Sequence, residues 1–342
     1  MLSKKSRLSI LSKSLLTIFA IGGGAIYNST VCIAANEFIS NSSVYGGGVV
    51  ANIPSAINFK TSMTFKGTTL FQNNQALGGP GGAIWNADAQ LEFLGTQEFI
   101  GNSAKYGWGG AIASGWGGAI ASFQDFGMKT SLLIDGTTTF KNNSAQRGGA
   151  IYNGLATASI NNAIFVNNKA LFIKNEPLVV EGYDEKGNSI YYGGNGGAIQ
   201  NGGYGEYTAE SFVSNSTFKG NQAEYAPVSE TYSYGGGAVM NFTGSSFISL
   251  NNKYIENSAG NAGGAIHNRQ GENTQLVLSG YNSFEANSAN LGGGAIFNHA
   301  LVSDADENSF TEFKGNSSDK GFGGALMNVG GIYALVVRIK RM

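Results

Sequence analysis

GGAIHN, residues 263–268, has near-copies along the whole chain. They read GGGVVAN (46–52), GGAIWN (81–86), GGAIAS (109–114 and 117–122), GGAIYN (148–153), GGAIQN (196–201), GGGAVMN (235–241), GGGAIFN (292–298) and GGALMN (323–328). A period of this kind is the mark of a repeat architecture and takes precedence over any local motif.

A second signature precedes most copies, an aromatic residue with Asn three places on: Phe38/Asn41, Phe71/Asn74, Phe99/Asn102, Phe140/Asn143, Phe165/Asn168, Phe218/Asn221, Tyr254/Asn257, Phe284/Asn287 and Phe313/Asn316. Upstream again, the best-formed units carry apolar residues eight and six places before the aromatic and Gly four before it, as in Met63, Phe65, Gly67 before Phe71 and Leu276, Leu278, Gly280 before Phe284. Spacing by two is strand periodicity. The unit therefore reads as three short strands. Units of about 30 residues stack as coils of a parallel β-helix, each strand pairing with its equivalent in the next coil. The expected fold is all-β, a right-handed, single-stranded, pectin-lyase-like solenoid of about eight or nine coils, right-handed because parallel crossovers are.

Within the hexapeptide, alternation puts Gly, Ile and Asn on one side and Ala and the variable residue x on the other. The recurrent Ile, as in Ile84, Ile266 and Ile296, is assigned to the core. Position x (Trp85, Ala113, Tyr152, Gln200, Met240, His267, Phe297, Met327) is assigned to the outside. The glycines, Gly82, Gly264 and Gly294 among them, turn corners that need positive φ or leave no room for a side chain. The asparagines, such as Asn74, Asn257 and Asn287, are expected to stack as an amide ladder or cap turns, and the aromatics, Phe71 among them, to form an inner column.

The 342 residues include 52 glycines, 4 prolines and only 13% charged residues, a composition of many turns between short strands. Lys4, Lys5, Arg7 and Lys13 precede an apolar run from Leu15 to Ile26 and small residues through Ala35. This layout reads as a secretory signal over residues 1–35, followed by a repeat domain at 36–330 and a C-terminal tail at 331–342 that is truncated or supplies a short capping strand. Gly22–Asn28, GGGAIYN, competes as a first repeat. Cys32, the single cysteine, falls before the cut, so no disulfide is expected. The remaining chain carries a net negative charge, which disfavours nucleic acid and anionic membrane as partners.

Two irregularities point to function. The octapeptide GWGGAIAS occurs twice in tandem at 107–122, too short for another coil, so one copy is expected to form the strand and the other to bulge, exposing Trp108 or Trp116. The spacing from the motif Asn to the second glycine is six to eight in seven units, but 29 from Asn168 to Gly197 and 16 from Asn221 to Gly237. Both insertions leave the same corner of consecutive coils. Loops on one side of a solenoid are where binding concentrates. Tyr183, Tyr191, Tyr192, Tyr225, Tyr232 and Tyr234, with acids such as Glu181, Asp184, Glu224 and Glu230, form the expected surface, suited to a basic partner.

Catalytic chemistry is not visible. His267 and His299 are the only histidines and are assigned to opposite sides, both at the surface. Carboxylates are scattered without a base nearby, and calcium nonapeptides, phosphate loops and zinc spacings are missing. No enzyme activity, metal or cofactor is expected.

The alternation of GGA followed by Ile, Leu or Val with FxxN resembles the repeats of chlamydial polymorphic outer membrane proteins over about residues 38–328. The resemblance rests on Phe71/Asn74 with Gly82-Ala83-Ile84, Tyr254/Asn257 with Gly264-Ala265-Ile266, and their equivalents. It implies the passenger of an autotransporter, a rod at the cell surface or outer membrane that acts as an adhesin toward a host-cell protein or glycan. A purely structural or immune-facing surface repeat without a specific ligand is the alternative, with a polysaccharide-acting β-helix enzyme ranked behind it. The family's C-terminal translocator barrel has no counterpart after residue 328, so any link to the outer membrane would run through a translocator outside this chain.

Overall fold

The computed structural model describes residues 31–33 and 36–334 except 45, 53–60, 105–119, 124–129, 155, 173–181, 184–188, 191–193, 203–207 and 226–233, together with four short strands before residue 28. Every long-range strand pair among the described residues is parallel and joins equivalent positions of successive repeats, for example Phe71 with Phe38 on one side and Phe99 on the other. The result is a parallel β-helix of four faces, three of ten strands and one of eleven.

Four strands per rung corrects the expected three. In one rung they are Gln90–Phe93 (face 1), Thr96–Ile100 (face 2, with the aromatic), Ser103–Ala104 (face 3) and, from the end of the second octapeptide copy, Ile120–Phe123 (face 4). Face 3 is only two residues deep, too short for a period-two pattern. Its trace in the sequence is the Ala two places after seven of the nine motif asparagines, as in Ala76, Ala104, Ala145 and Ala170, all buried, with Ser43 and Ser318 in the other two. The corner between faces 2 and 3 is turned by the residue just before that Asn. Ser40, Asn73, Gly101, Asn142, Asn167, Gly220, Glu256, Ala286 and Gly315 all sit there with φ between +53° and +64°. This left-handed requirement explains why Asn and Gly crowd the position.

The core consists of the inward residues of faces 1, 2 and 4. The aromatic column runs unbroken from Phe38 to Phe313, with neighbouring rings 4.5–5.2 Å apart and within 18° of parallel. Tyr254 is its one tyrosine. Its hydroxyl lies 2.9 Å from Ser249 Oγ, and Ser249 replaces the apolar residue that Val213 and Leu278 supply at the same register position. A buried phenol without such a partner would forfeit the solvation of its O–H, so the two polar substitutions complement each other.

Two asparagine ladders flank this core. In the first, the Nδ2 of Asn41, Asn74, Asn102, Asn143, Asn168, Asn221, Asn257 and Asn287 each donates to the Oδ1 of the next, ending at Asn316, at 2.9–3.0 Å. The same Oδ1 atoms also accept a backbone N–H from the preceding rung, as Asn74 N to Asn102 Oδ1. In the second, from the hexapeptide, Asn52 donates to Asn86, and Asn153 begins a series through Asn201, Asn241, Asn268 and Asn298 to Asn328. Ser122 stands at the ladder position between Asn86 and Asn153.

The glycines divide the labour that sequence assigned them jointly. The first of each Gly-Gly-Ala pair has positive φ, +68° at Gly263 and +60° at Gly293. The second needs space, since a Cβ on Gly264 would lie 2.0 Å from the carbonyl oxygen of Gly294 one rung on. The Ala that follows is inside, not outside as strand alternation suggested: Ala83, Ala150, Ala198, Ala238, Ala265 and Ala295 join the main core. Pairing within the strand proper begins at the Ile, and the Ala still belongs to the corner.

At the N-terminal end, Leu8–Ile10, Leu15–Leu16, Phe19–Ala20 and Ile26–Tyr27 add one rung to the four faces. Ile26 and Tyr27 pair with Val50 and Ala51, the register of the hexapeptide, while Leu16 takes the position of Phe38. This rung thus has the fourth-face motif without the aromatic.

Candidate functional site

The corner between faces 3 and 4 carries the two insertions. Strands Lys169–Ala170 and Gln222–Ala223 pair on face 3, and Ile199–Gly202 and Val239–Asn241 pair on face 4, so both insertions leave and rejoin consecutive rungs at one corner. Their bases are tied together. Glu224 forms an ion pair with Lys169 and accepts the backbone N–H of Phe172 at 2.8 Å, while Gly194 N donates to Leu171 O. Within the first insertion Gly182–Tyr183 and Ser189–Ile190 pair antiparallel, the one antiparallel pair among the described strands.

The tyrosines expected to share this surface divide. Tyr225 is 49% exposed at the start of the second insertion. Tyr234, at its end, is buried at 4% and does not belong to an exposed surface, which corrects the sequence reading. Tyr183 lies in the hairpin. Tyr191, Tyr192, Tyr232, Trp108 and Trp116 lie outside the described residues.

Tyr234 is buried because the outer side of face 4 is covered. Position x, assigned to solvent, is inside: Trp85, Tyr152, Gln200, Met240, His267 and Phe297 are all less than a tenth exposed. Alternation placed x correctly on the side away from the core, but the chain leading into each Gly-Gly folds over that side. Tyr234 O lies 3.3 Å from His267 Nδ1, and a Cβ on Gly46 would strike the Trp85 ring. The variable residues therefore form a second, outer packing column, and their variety matches the variety of the segments above them.

His267 is accordingly a core residue, and the two histidines are neighbours with ring centroids 6.4 Å apart. His299 lies beyond the end of its strand, in a corner where alternation no longer applies. Burial, reinforced by His299 and Arg269, pushes His267 down to about 3, and burial and Arg269 lower His299 as well. Arg269 itself stacks over Phe242 at 4.3 Å. A folded-state value below the unfolded 6.5 means that the unfolded chain alone takes up the proton between those limits. Stability is then full above pH 6.5 and falls by about 1.4 kcal/mol per unit as the pH drops toward 3. At pH 5 the expected loss is about 2 kcal/mol, read as a shift in urea midpoint between pH 7.5 and 5. His267→Met, which copies Met240 in the same column, should flatten this dependence to the part due to His299; an unchanged slope would show that His267 is not its source.

The described residues hold no group of three or more His, Cys, Asp or Glu placed to share a metal ion. A shallow cavity of about 450 Å³ on the outer side of face 1 is lined by Leu133, Phe212 and Ile248 among Ser, Thr and Gln residues, with Glu210 as its one carboxylate.

Residues 68–87 and 137–154 match the Chlamydia polymorphic membrane protein repeat. Each stretch holds both signatures, FQNN with GGAIWN and FKNN with GGAIYN. The chain carries polymorphic membrane protein repeats. In this structure each matched repeat spans faces 2, 3 and 4 of one rung, from the aromatic column through the ladder Asn to the outer column. The repeat family implies a surface-exposed outer membrane protein of Chlamydia. No curated protein and no solved structure matches the chain.

Proposed function

We propose that the rod is a secreted passenger displayed at the cell surface, and that it adheres to a host-cell protein or glycan through the two insertions at the corner of faces 3 and 4. The observation that carries this reading is the joint base of the insertions: consecutive rungs, one corner, and a shared Glu224 that holds the start of one against the start of the other. With their feet tied together, the starts of the two insertions are held side by side before a partner arrives, which lowers the entropic cost of binding. The acids Glu176, Glu181, Asp184, Glu185 and Glu230 against Lys174 and Lys186 give that surface a negative balance suited to a basic partner.

Trimming has to respect the described strands, since removal of residues 222–223 or of Tyr234 would damage face 3 and the outer column. Replacing 173–193 and 226–233 with short Gly-Ser linkers is expected to lower binding to host cells at least about tenfold with an unchanged far-ultraviolet dichroism spectrum. Undiminished binding by that folded variant would sink the assignment and leave a rod without a specific ligand.

A further inference from the structure

The tandem octapeptide gives the rod two equivalent ways of building one strand. In the structure Ile120–Phe123 fills the face 4 position between Ile84–Ala87 and Ile151–Gly154, with Ile120 opposite Ile84 and Ile151 and Ser122 opposite Asn86 and Asn153. This strand belongs to the second copy of GWGGAIAS. The first copy, residues 107–114, is identical, so Ile112-Ala113-Ser114 would offer the same side chains to the same neighbours. The next residue differs, Gly115 in place of Phe123, and its register neighbours are Ala87 and Gly154, a position where glycine already occurs.

The connections do not break the tie. With Ile120–Phe123 in place, residues 105–119 link face 3 to face 4 and residues 124–130 link face 4 to the next strand, Ser131–Ile134. A slip of one octapeptide makes these 105–111 and 116–130. The lengths of fifteen and seven are merely exchanged, and closure entropy, which depends on the logarithm of each length, sums to the same value. The first copy also has the regular lead-in: Gly110 is eight residues after Asn102, as Gly82 is after Asn74, whereas Gly118 is sixteen after it.

We propose that this strand of face 4 is bistable, with two registers eight residues apart. The exchange moves a tryptophan-bearing octapeptide between two corners of the rod. In the register seen, the spare copy falls in sequence between Ser103–Ala104 of face 3 and Ile120–Phe123 of face 4. In the other, the spare copy lies in the connection between faces 4 and 1. Identical strands with exchangeable connections are a two-state element of the kind a ligand biases by contacting one state alone.

The test uses Ile112, Ile120 and Ile151 in the full chain. Ile151, in the neighbouring rung, is fully buried and has no spare copy. Ile151→Asn is expected to lower the melting temperature by about 10 °C or to prevent folding, whereas Ile120→Asn is expected to lower it by less than about 3 °C. In Ile120→Asn, hydrogen-exchange protection should move from residues 120–123 to 112–115, and the double variant Ile112→Asn/Ile120→Asn should fail as Ile151→Asn does. The proposal is overturned if Ile120→Asn alone is as damaging as Ile151→Asn, or if it stays folded without protection appearing at 112–115.

Discussion

Gly264→Ala opens the rungs around it, at an expected cost of about 4 kcal/mol or more. The methyl carbon would sit 2.0 Å from Gly294 O and 2.5 Å from Ser288 O, both backbone atoms of the next rung, so no rotamer change can relieve the overlap. Relief requires separating two rungs at a corner where their backbones are hydrogen-bonded, Gly264 N to Gly293 O and Ala265 N to Ala295 O. Because each rung touches only its neighbours, the damage should stay local. Peptide-resolved hydrogen exchange would show protection lost around residues 255–300 and kept in the N-terminal rungs. The last rung provides the control. Gly324 occupies the same place in its hexapeptide, but its Cβ would meet nothing closer than Asn316 O at 3.3 Å, so Gly324→Ala should be nearly neutral. Equal effects at the two positions would refute the steric argument.

Asn221→Leu should be of similar severity for a different reason. Asn221 is fully buried, and its side chain serves four partners: Nδ2 donates to Phe165 O and Asn257 Oδ1, and Oδ1 accepts from Asn168 N and Asn168 Nδ2, at 2.9–3.0 Å. Leucine matches the volume and removes all four bonds, so that Asn168 N loses its acceptor, Asn168 Nδ2 keeps only Phe140 O and Asn257 Oδ1 keeps only Asn221 N. A buried polar group left unpaired costs about 1–3 kcal/mol, so even with partial relaxation the total reaches about 4 kcal/mol. Asn316→Leu, at the last rung of the ladder and partly exposed, strands fewer groups in a wetter place and should cost less than half as much. Asn221→Asp separates hydrogen bonding from size. At neutral pH it buries a charge facing the Asn257 carbonyl, while acid restores one O–H donor, so its deficit should shrink on acidification. Urea midpoints of the three variants at two pH values check these outcomes; a mild Asn221→Leu would mean that the ladder specifies register without contributing much stability.

The core was readable because its signals are periodic. Phe71, Phe99 and Phe140 repeat with fixed neighbours, and in a parallel solenoid equal spacing from Asn and Gly forces equal position, so the column and the ladder could be named from the sequence. What escaped notice fell outside periodicity. The two-residue strands such as Ser103–Ala104 are shorter than the pattern that detects strands. The burial of His267, Trp85 and Tyr234 depends on nonperiodic segments folding over face 4, and a variable residue resembles an exposed one when only its own strand is considered. The common corner of the insertions was visible as a break in spacing. The clamp at Glu224 was not, since a charged residue at the foot of a loop has no distinctive context in sequence.

The asparagine ladders also give the rod an electrical direction. Every link runs from Nδ2 of one rung to Oδ1 of the next, so each carbonyl faces the N-terminal end and the amide dipoles add instead of cancelling. Backbone hydrogen bonds in parallel sheets point alternately up and down and contribute little net moment. The two side-chain columns act like the peptide dipoles of a helix, with the positive pole at the C-terminal end of the β-helix and the negative pole at Asn41 and Asn52. A carboxylate or phosphate is therefore better accommodated near Asn316 and Asn328 than at the opposite end, and the two tips of an otherwise repetitive structure differ in the charge they favour.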